Sequence, residues 1–385
     1  MMSAEPPPRS ARIASIDALR GFDMFFLTGG YRLTVILGAF FTLPPCVLHQ
    51  MDHSAWEGFT AWDLIMPLFL FIVGAAMPFS FGKRLAEGQS RRQLHWKIIR
   101  RVLILWILGM VVQGNLLDFN LSKLYFFSNT LQAIAVGYLV ASLALIYLPI
   151  YGQFLLACVL LIGFWLLMML VPAPGCPAGT IQEKLNLAWY VDGVIFDGFR
   201  VQAPDYYYTW ILSSLGFAGS VLLGAMSGHL LRSAWTPRKK TGGLILAGAA
   251  CLLLGWIWSG GFGWLGAWRF PIIKPIWTSS MVLWSAGWCY LLLAFCYLVI
   301  DVLGFRKWAF FFMVMGANSI TAYMLAMTVD FNHIAHRFVG GLQRHLQECG
   351  GPWPPKGDAL QSLAAFAILW LILWYMYRRG SFVRI

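Results

Sequence analysis

Ten apolar runs dominate this chain, each close to the ~17–25 residues needed to cross hydrocarbon. They lie at about 18–42, 60–83, 98–114, 129–148, 152–171, 209–231, 241–259, 277–300, 307–327 and 359–378. Inside a bilayer the backbone has no water to bond, so each run must close its own N–H···O=C bonds as a helix. The expectation is an all-α polytopic membrane helical bundle of about ten transmembrane helices. Composition points the same way: 59% of residues are hydrophobic and 11% charged, against about 25% charged in soluble domains.

The formal charge of +12 invites a nucleic-acid reading, but the basic residues flank the apolar runs instead of forming a long tract. Counted on alternate sides of the spans, Lys and Arg number 19 on one side and 8 on the other. The positive-inside rule then places both termini in the cytoplasm. MMSAEPPPRSAR reads as a cytoplasmic tail and not a signal peptide. The division is a tail over 1–17 and one transmembrane domain over 18–385, with extracytoplasmic loops at 43–59, 172–208, 260–276 and 328–358. The loops at 172–208 and 328–358 are rich in aromatic residues, which suits an interfacial belt or a lid over a sugar-like ligand. Cys46, Cys176 and Cys349 fall in these outer loops, where a disulfide can form but no pairing follows from sequence.

Chemistry-bearing residues gather at the outer ends of the spans. His53 lies in the first outer loop, and Asp63 stands ten residues on at the mouth of the second span. A carboxylate entering hydrocarbon costs on the order of a few kcal/mol, so it needs a partner or a task. A carboxylate holding one ring nitrogen of an imidazole fixes its tautomer and frees the other nitrogen for proton transfer. Asn129 and Gln132 open the fourth span, while Lys274, Trp277, Thr278 and Ser279 open the eighth; these are candidate substrate-binding groups, together with Asn318 deep in the ninth. Asp17, Arg20 and Asp23 are spaced three apart and neighbour one another on a helix, as a neutral structural cluster or as an anchor for an anionic group. Arg100 and Arg101, on the inward side, are first of all topology determinants. Asp330, His333 and His336 have ligand-like spacing without a third and fourth partner, so no metal is expected.

The stretches RIASIDALRGFDM, HSAWEGFTAWDLIMPLFLFIVGAAM, RRQLHWKIIRRVLILWILGM, LQAIAVGY, PIIKPIWTSSMVLWSAG, FFMVMGANSITAY and LWYMYRR run in order along nearly the whole chain. Together they resemble bacterial relatives of heparan-alpha-glucosaminide N-acetyltransferase, within the wider transmembrane acyltransferase group. The resemblance implies transfer of an acetyl group from cytosolic acetyl-CoA to an extracytoplasmic amino sugar or glycan. It further implies a bacterial inner-membrane location and a homodimer, and it makes Arg100 and Arg101 candidates for the acyl donor's phosphates. The histidine of the family's H-x-x-W-x-G-x-T motif is His53 here, and the following aspartate is Asp63. Two positions depart from the family pattern: Thr28 stands where an Asn is common, and Ala133 where an Arg is usual. A different class, a proton-coupled amino-sugar transporter using His53 and Asp63, fits the same residues; the lack of an internal repeat argues against it.

Overall fold

The computed structural model describes residues 13–30, 44–114, 116–197, 207–348 and 356–383, with 32, 34, 36 and 199. Cys349 and most of the N-terminal tail lie outside these. The described chain is predominantly helical, a multi-pass membrane protein with seven helices long and apolar enough to cross a bilayer. A bent helix pair makes an eighth span if its two halves are counted as one. Its halves, Phe310–Ala317 and Ser319–Thr328, meet at 78°.

That count accounts for the ten apolar runs as follows. The helix over Arg91–Gln113 is long enough, but its first turns carry Arg91, Arg92, Lys97, Arg100 and Arg101 and dilute its hydropathy. The first run is described only up to Gly30 and at three isolated positions beyond it, so its outer part falls outside the described residues. Within the expected outer segment 328–358 the chain is not irregular: Phe331–Glu348 folds into an amphipathic helix. Its apolar positions Phe331, Ile334, Ala335, Phe338 and Leu342 recur at helical spacing, hidden in the sequence by interleaved His and Arg and by Gly340–Gly341.

In chain order the helices are α1 (Ala14–Phe25), α2 (Pro45–His49), α3 (Ile65–Ala86), α4 (Arg91–Gln113), α5 (Thr130–Tyr147) and α6 (Ile150–Leu170). They continue as α7 (Leu187–Ile195), α8 (Ser213–Arg232), α9 (Pro237–Trp258), α10 (Ser279–Cys296), α11 (Phe310–Ala317), α12 (Ser319–Thr328), α13 (Phe331–Glu348) and α14 (Lys356–Arg378). One small hairpin, β1 (Ile181–Gln182) against β2 (Leu185–Asn186), precedes α7. Helices α3 and α8 form the centre and pack on each other closely, with α5 and α6 against α8, α10 against α9, and α14 on the perimeter. Lipid supplies no hydrophobic drive between helices, so close backbone approach matters. A Cβ at Gly74 would run into the Val221 carbonyl, and one at Gly224 into the carbonyl of Phe71. Helix α1 begins where the Asp301 carboxylate accepts the backbone N–H groups of Ala14 and Ser15, at 3.2 and 3.1 Å. Its orphan amides are thereby satisfied.

Candidate active site

Two loops are stitched together at one end of the bundle. Gly58 N–H bonds the Ile272 carbonyl at 2.9 Å, Glu57 pairs with Ile273 as an isolated β-bridge, and Arg269 meets the Glu57 carboxylate at 3.2 Å. The stitch carries Lys274, 211 residues away in sequence from Asp63, onto that carboxylate.

Asp63 is the hub. Its side chain is 1% exposed. Oδ1 lies 2.6 Å from His53 Nδ1 and 3.3 Å from Lys274 Nζ. Oδ2 accepts the backbone N–H groups of Ser54 at 3.2 Å and Thr60 at 3.1 Å. The Thr60 hydroxyl stands 2.6 Å from the Asp52 carbonyl and 3.1 Å from Oδ2, with one proton to share between them. An acceptor-only carboxylate facing this many donors is ionised and held rigidly.

That arrangement decides the histidine's tautomer. The 2.6 Å contact requires a proton on Nδ1, because the carboxylate has none to give, and Nε2 is left with its lone pair. The His53 side chain is 46% exposed, against 1% for the Asp63 carboxylate that holds it. Lys274 Nζ is also 3.3 Å from Nδ1, but two donors do not bond each other, so the ammonium belongs to Asp63. Burial pushes the Lys274 ammonium down to about 8, against the opposing charge and hydrogen bond of Asp63. The constellation is an imidazole, a buried carboxylate and a buried ammonium, coupled through one oxygen.

The motif residues around it have distinct tasks. Trp56 donates its indole N–H to the Ile181 carbonyl at 3.1 Å, tying the loop to the β-hairpin. Gly58 adopts φ 134°, a region that side chains disfavour. Thr60 locks Asp63. The Trp62 ring sits 6.2 Å from the His53 ring. Ser54 and Thr60 were not singled out by sequence reasoning, although Thr60 closes the H-x-x-W-x-G-x-T pattern and was available as a signal.

Other nominated residues are used by the fold. Asn129 and Gln132 form a capping box at the start of α5, and Gln132 also donates to the Phe126 carbonyl at 2.7 Å. Asn129 further meets the Tyr323 hydroxyl at 3.3 Å. Trp277 is buried with its indole N–H on Ser220, while the Thr278 and Ser279 hydroxyls donate to the Pro271 and Leu161 carbonyls at 2.7 Å each. Asn318 sits at the break between α11 and α12, donating to the Ser381 carbonyl and accepting from Val383 N–H, both at 3.2 Å. It is held by the C-terminal segment, apart from His53.

The Asp17, Arg20, Asp23 series splits. Arg20 pairs with Asp17 at 3.3 Å on a half-exposed face. Asp23 falls instead on the inward stripe with Ile16 and Leu19, fully buried, and among the described residues neither of its oxygens has a hydrogen-bond partner. Arg101 stacks over the Tyr138 ring at 4.3 Å with its Nε buried and unpartnered, whereas Arg100 is exposed. Cys46 and Cys176 are free thiols. Among the described residues no three His, Cys, Asp or Glu side chains form a metal-sized group.

Comparison with known proteins sets this geometry in context. Residues 12–170 match a family model described as a domain of unknown function, DUF5009. Over its full length the chain is 26% identical to heparan-alpha-glucosaminide N-acetyltransferase of Homo sapiens and 24% identical to that of Mus musculus. The chain is a distant homologue of that transferase. It spans 61% of the length of the human relative and 63% of the mouse one. The His53–Asp63–Lys274 cluster lies within the aligned length, since the alignment takes in the whole chain.

Proposed function

We propose that this protein is a transmembrane acyltransferase that moves an acetyl group from cytosolic acetyl-CoA to an extracytoplasmic amino sugar or glycan. The observation that carries the reading is the 2.6 Å contact between His53 Nδ1 and the buried, multiply bonded Asp63. A fixed carboxylate on one ring nitrogen raises the basicity of the other and stabilises the imidazolium that forms during proton transfer. Nε2 is then the reactive atom. It takes the proton of the acceptor amine as that nitrogen attacks the thioester carbonyl, and it returns that proton to the departing sulfur as the C–S bond breaks, leaving amide and free thiol. In the two-step variant Nε2 attacks first and releases the thiol, and the amine then displaces the imidazole from the acyl carbon.

Lys274 balances Asp63 and places positive charge beside the centre where an oxyanion develops. On the other side of the membrane, the buried and unpartnered Arg101 Nε fits a phosphate oxygen of the donor. The names of the relatives support the acetyl donor and an amino-sugar acceptor. The Lys and Arg distribution supports an inner-membrane orientation with both termini in the cytoplasm.

Reconstituted vesicles test this directly. With acetyl-CoA sealed on the side bearing the chain termini and glucosamine outside, acetylated sugar is expected outside, and His53→Ala should lower its rate by about 10²–10⁴-fold. Net sugar flux without acetylation would overturn the proposal in favour of a carrier.

A further inference from the structure

A cavity of about 360 Å³ opens between α1, α12, α13 and α14. It is lined in part by Thr28, Arg32, Asp330, Asn332, Ser362 and Phe366. None of His53, Asp63 or Lys274 lines it, so it is not the centre described above. The Phe26 ring lies 6.4 Å from the Trp62 ring, which neighbours His53. The cavity occurs where helices break. Gly29, on its wall, has φ 145° inside the π-helical turn that ends α1. Opposite, α12 departs from α11 at 78°. Interrupted helices of this kind are how membrane proteins bring polar backbone and side chains to a ligand.

Depth follows from helix rise. Gly29 is 15 residues beyond the start of α1, and Phe366 is 12 residues from the end of α14. At ~1.5 Å per residue, both measures put the cavity roughly 18–22 Å from one end of the bundle, inside a hydrocarbon layer of about 30 Å. Arg32 and Asp330, both exposed residues, line this cavity, yet they do not pair with each other, and neither has an ion-pair partner among the described residues. Among the described residues, Asp330 Oδ1 accepts only the His333 backbone N–H, at 3.0 Å. Two opposite charges held apart across one cavity are completed together by a ligand carrying the reverse pair.

We propose that this cavity binds a zwitterionic head group, with an anionic phosphate or carboxylate against Arg32 and a primary ammonium against Asp330. Its volume lies at the small end of the ~300–1,000 Å³ typical of ligand pockets. Entry is from the membrane. Helix α14 is on the perimeter, and Met327 on the wall and Leu363 beside it are 43% and 55% exposed, so an amphiphile can place its head inside while its tails stay in lipid. The assignment is independent of acyl transfer at His53.

The test uses the purified full chain in detergent, titrated by native mass spectrometry. The probes are dihexanoyl-phosphatidylethanolamine, dihexanoyl-phosphatidylglycerol as the anion-only control, and soluble phosphoethanolamine. The ethanolamine lipid should bind saturably and at least about tenfold more tightly than the glycerol lipid, and Arg32→Gln or Asp330→Asn should each weaken it by about tenfold or more. Ser362→Leu, which fills the cavity without changing charge, should block binding while leaving the protein monodisperse. Soluble phosphoethanolamine binding as well as the lipid would assign a free zwitterion to the same site and support it. Equal binding of the two lipids, or undiminished binding by folded Arg32→Gln and Asp330→Asn proteins, would overturn it.

Discussion

Replacing Asp63 with Asn, alone and with Lys274→Met, measures whether the three charged groups act as one unit. The Asp63–Lys274 separation is 3.3 Å, with side chains 1% and 6% exposed. At an effective dielectric of 20 that distance gives a gross attraction of about 5 kcal/mol, most of it offset by desolvation of the two ions. Asp63→Asn leaves the ammonium buried without a counter-charge and turns an amide toward several donors, a loss of roughly 3–5 kcal/mol. Lys274→Met removes the stranded cation, so the double variant should be more stable than the sum of the singles by about 1–3 kcal/mol. Reversible unfolding titrations in mixed detergent micelles at neutral pH supply the four free energies.

The same cycle has a pH signature. Lys274 is lowered to about 8 from an ordinary 10.5, by burial first, against the pull of Asp63. Between those two values the unfolded chain binds the extra proton. The penalty of the buried ammonium is therefore fully present below pH 8 and is relieved as pH rises toward 10.5. Lys274→Met should lack that gain. Additivity of the two substitutions within about 0.5 kcal/mol would refute the coupled unit.

Asp192 in α7 is raised to about 6 by burial, against the Ile211 and Trp210 backbone N–H groups that it accepts. Its folded value lies above the unfolded 3.8, so stability from this group should fall by up to about 3 kcal/mol as pH rises from 4 to 6, and Asp192→Asn should flatten that slope in thermal melts. Arg101→Ala should reduce the thermal stabilisation given by coenzyme A, while exposed Arg100→Ala leaves it within error. Gly224→Val drives a side chain into the Phe71 carbonyl and should prevent recovery of monodisperse protein, whereas Gly242→Ala, which meets nothing, should purify normally.

The fold class was legible in the sequence because span length and backbone bonding leave few options in lipid. What escaped was the broken span at Asn318 and the helix α13. The break depends on the C-terminal segment bonding Asn318, a contact 63 residues away that no local pattern announces. Asp63 was legible from its cost in hydrocarbon, and His53 from its proximity to Asp63. Lys274 was visible only as an outer polar group. Its attachment to Asp63 depends on the bridge between Glu57 and Ile273, and strand-like pairing of two loops leaves no periodic trace.

The polar residues at the span mouths divide by a property that sequence does not carry, namely whether the fold has already used their hydrogen-bonding capacity. Asn129, Gln132, Thr278, Ser279 and Asn318 bond their own chain. Asking them to hold a substrate would mean breaking a cap or a turn, at about 0.5–2 kcal/mol for a cap. His53 Nε2, Arg101 Nε, Arg32 and Asp330 retain capacity. Chemistry in a low-dielectric bundle belongs with groups whose unsatisfied valence is oriented but uncommitted, since an already bonded donor gains little by exchanging partners. The reacting centre proposed above, the imidazole face of the Asp63 cluster, meets that criterion. The residues beside it that look equally polar in the sequence are the scaffold that keeps the imidazole aimed.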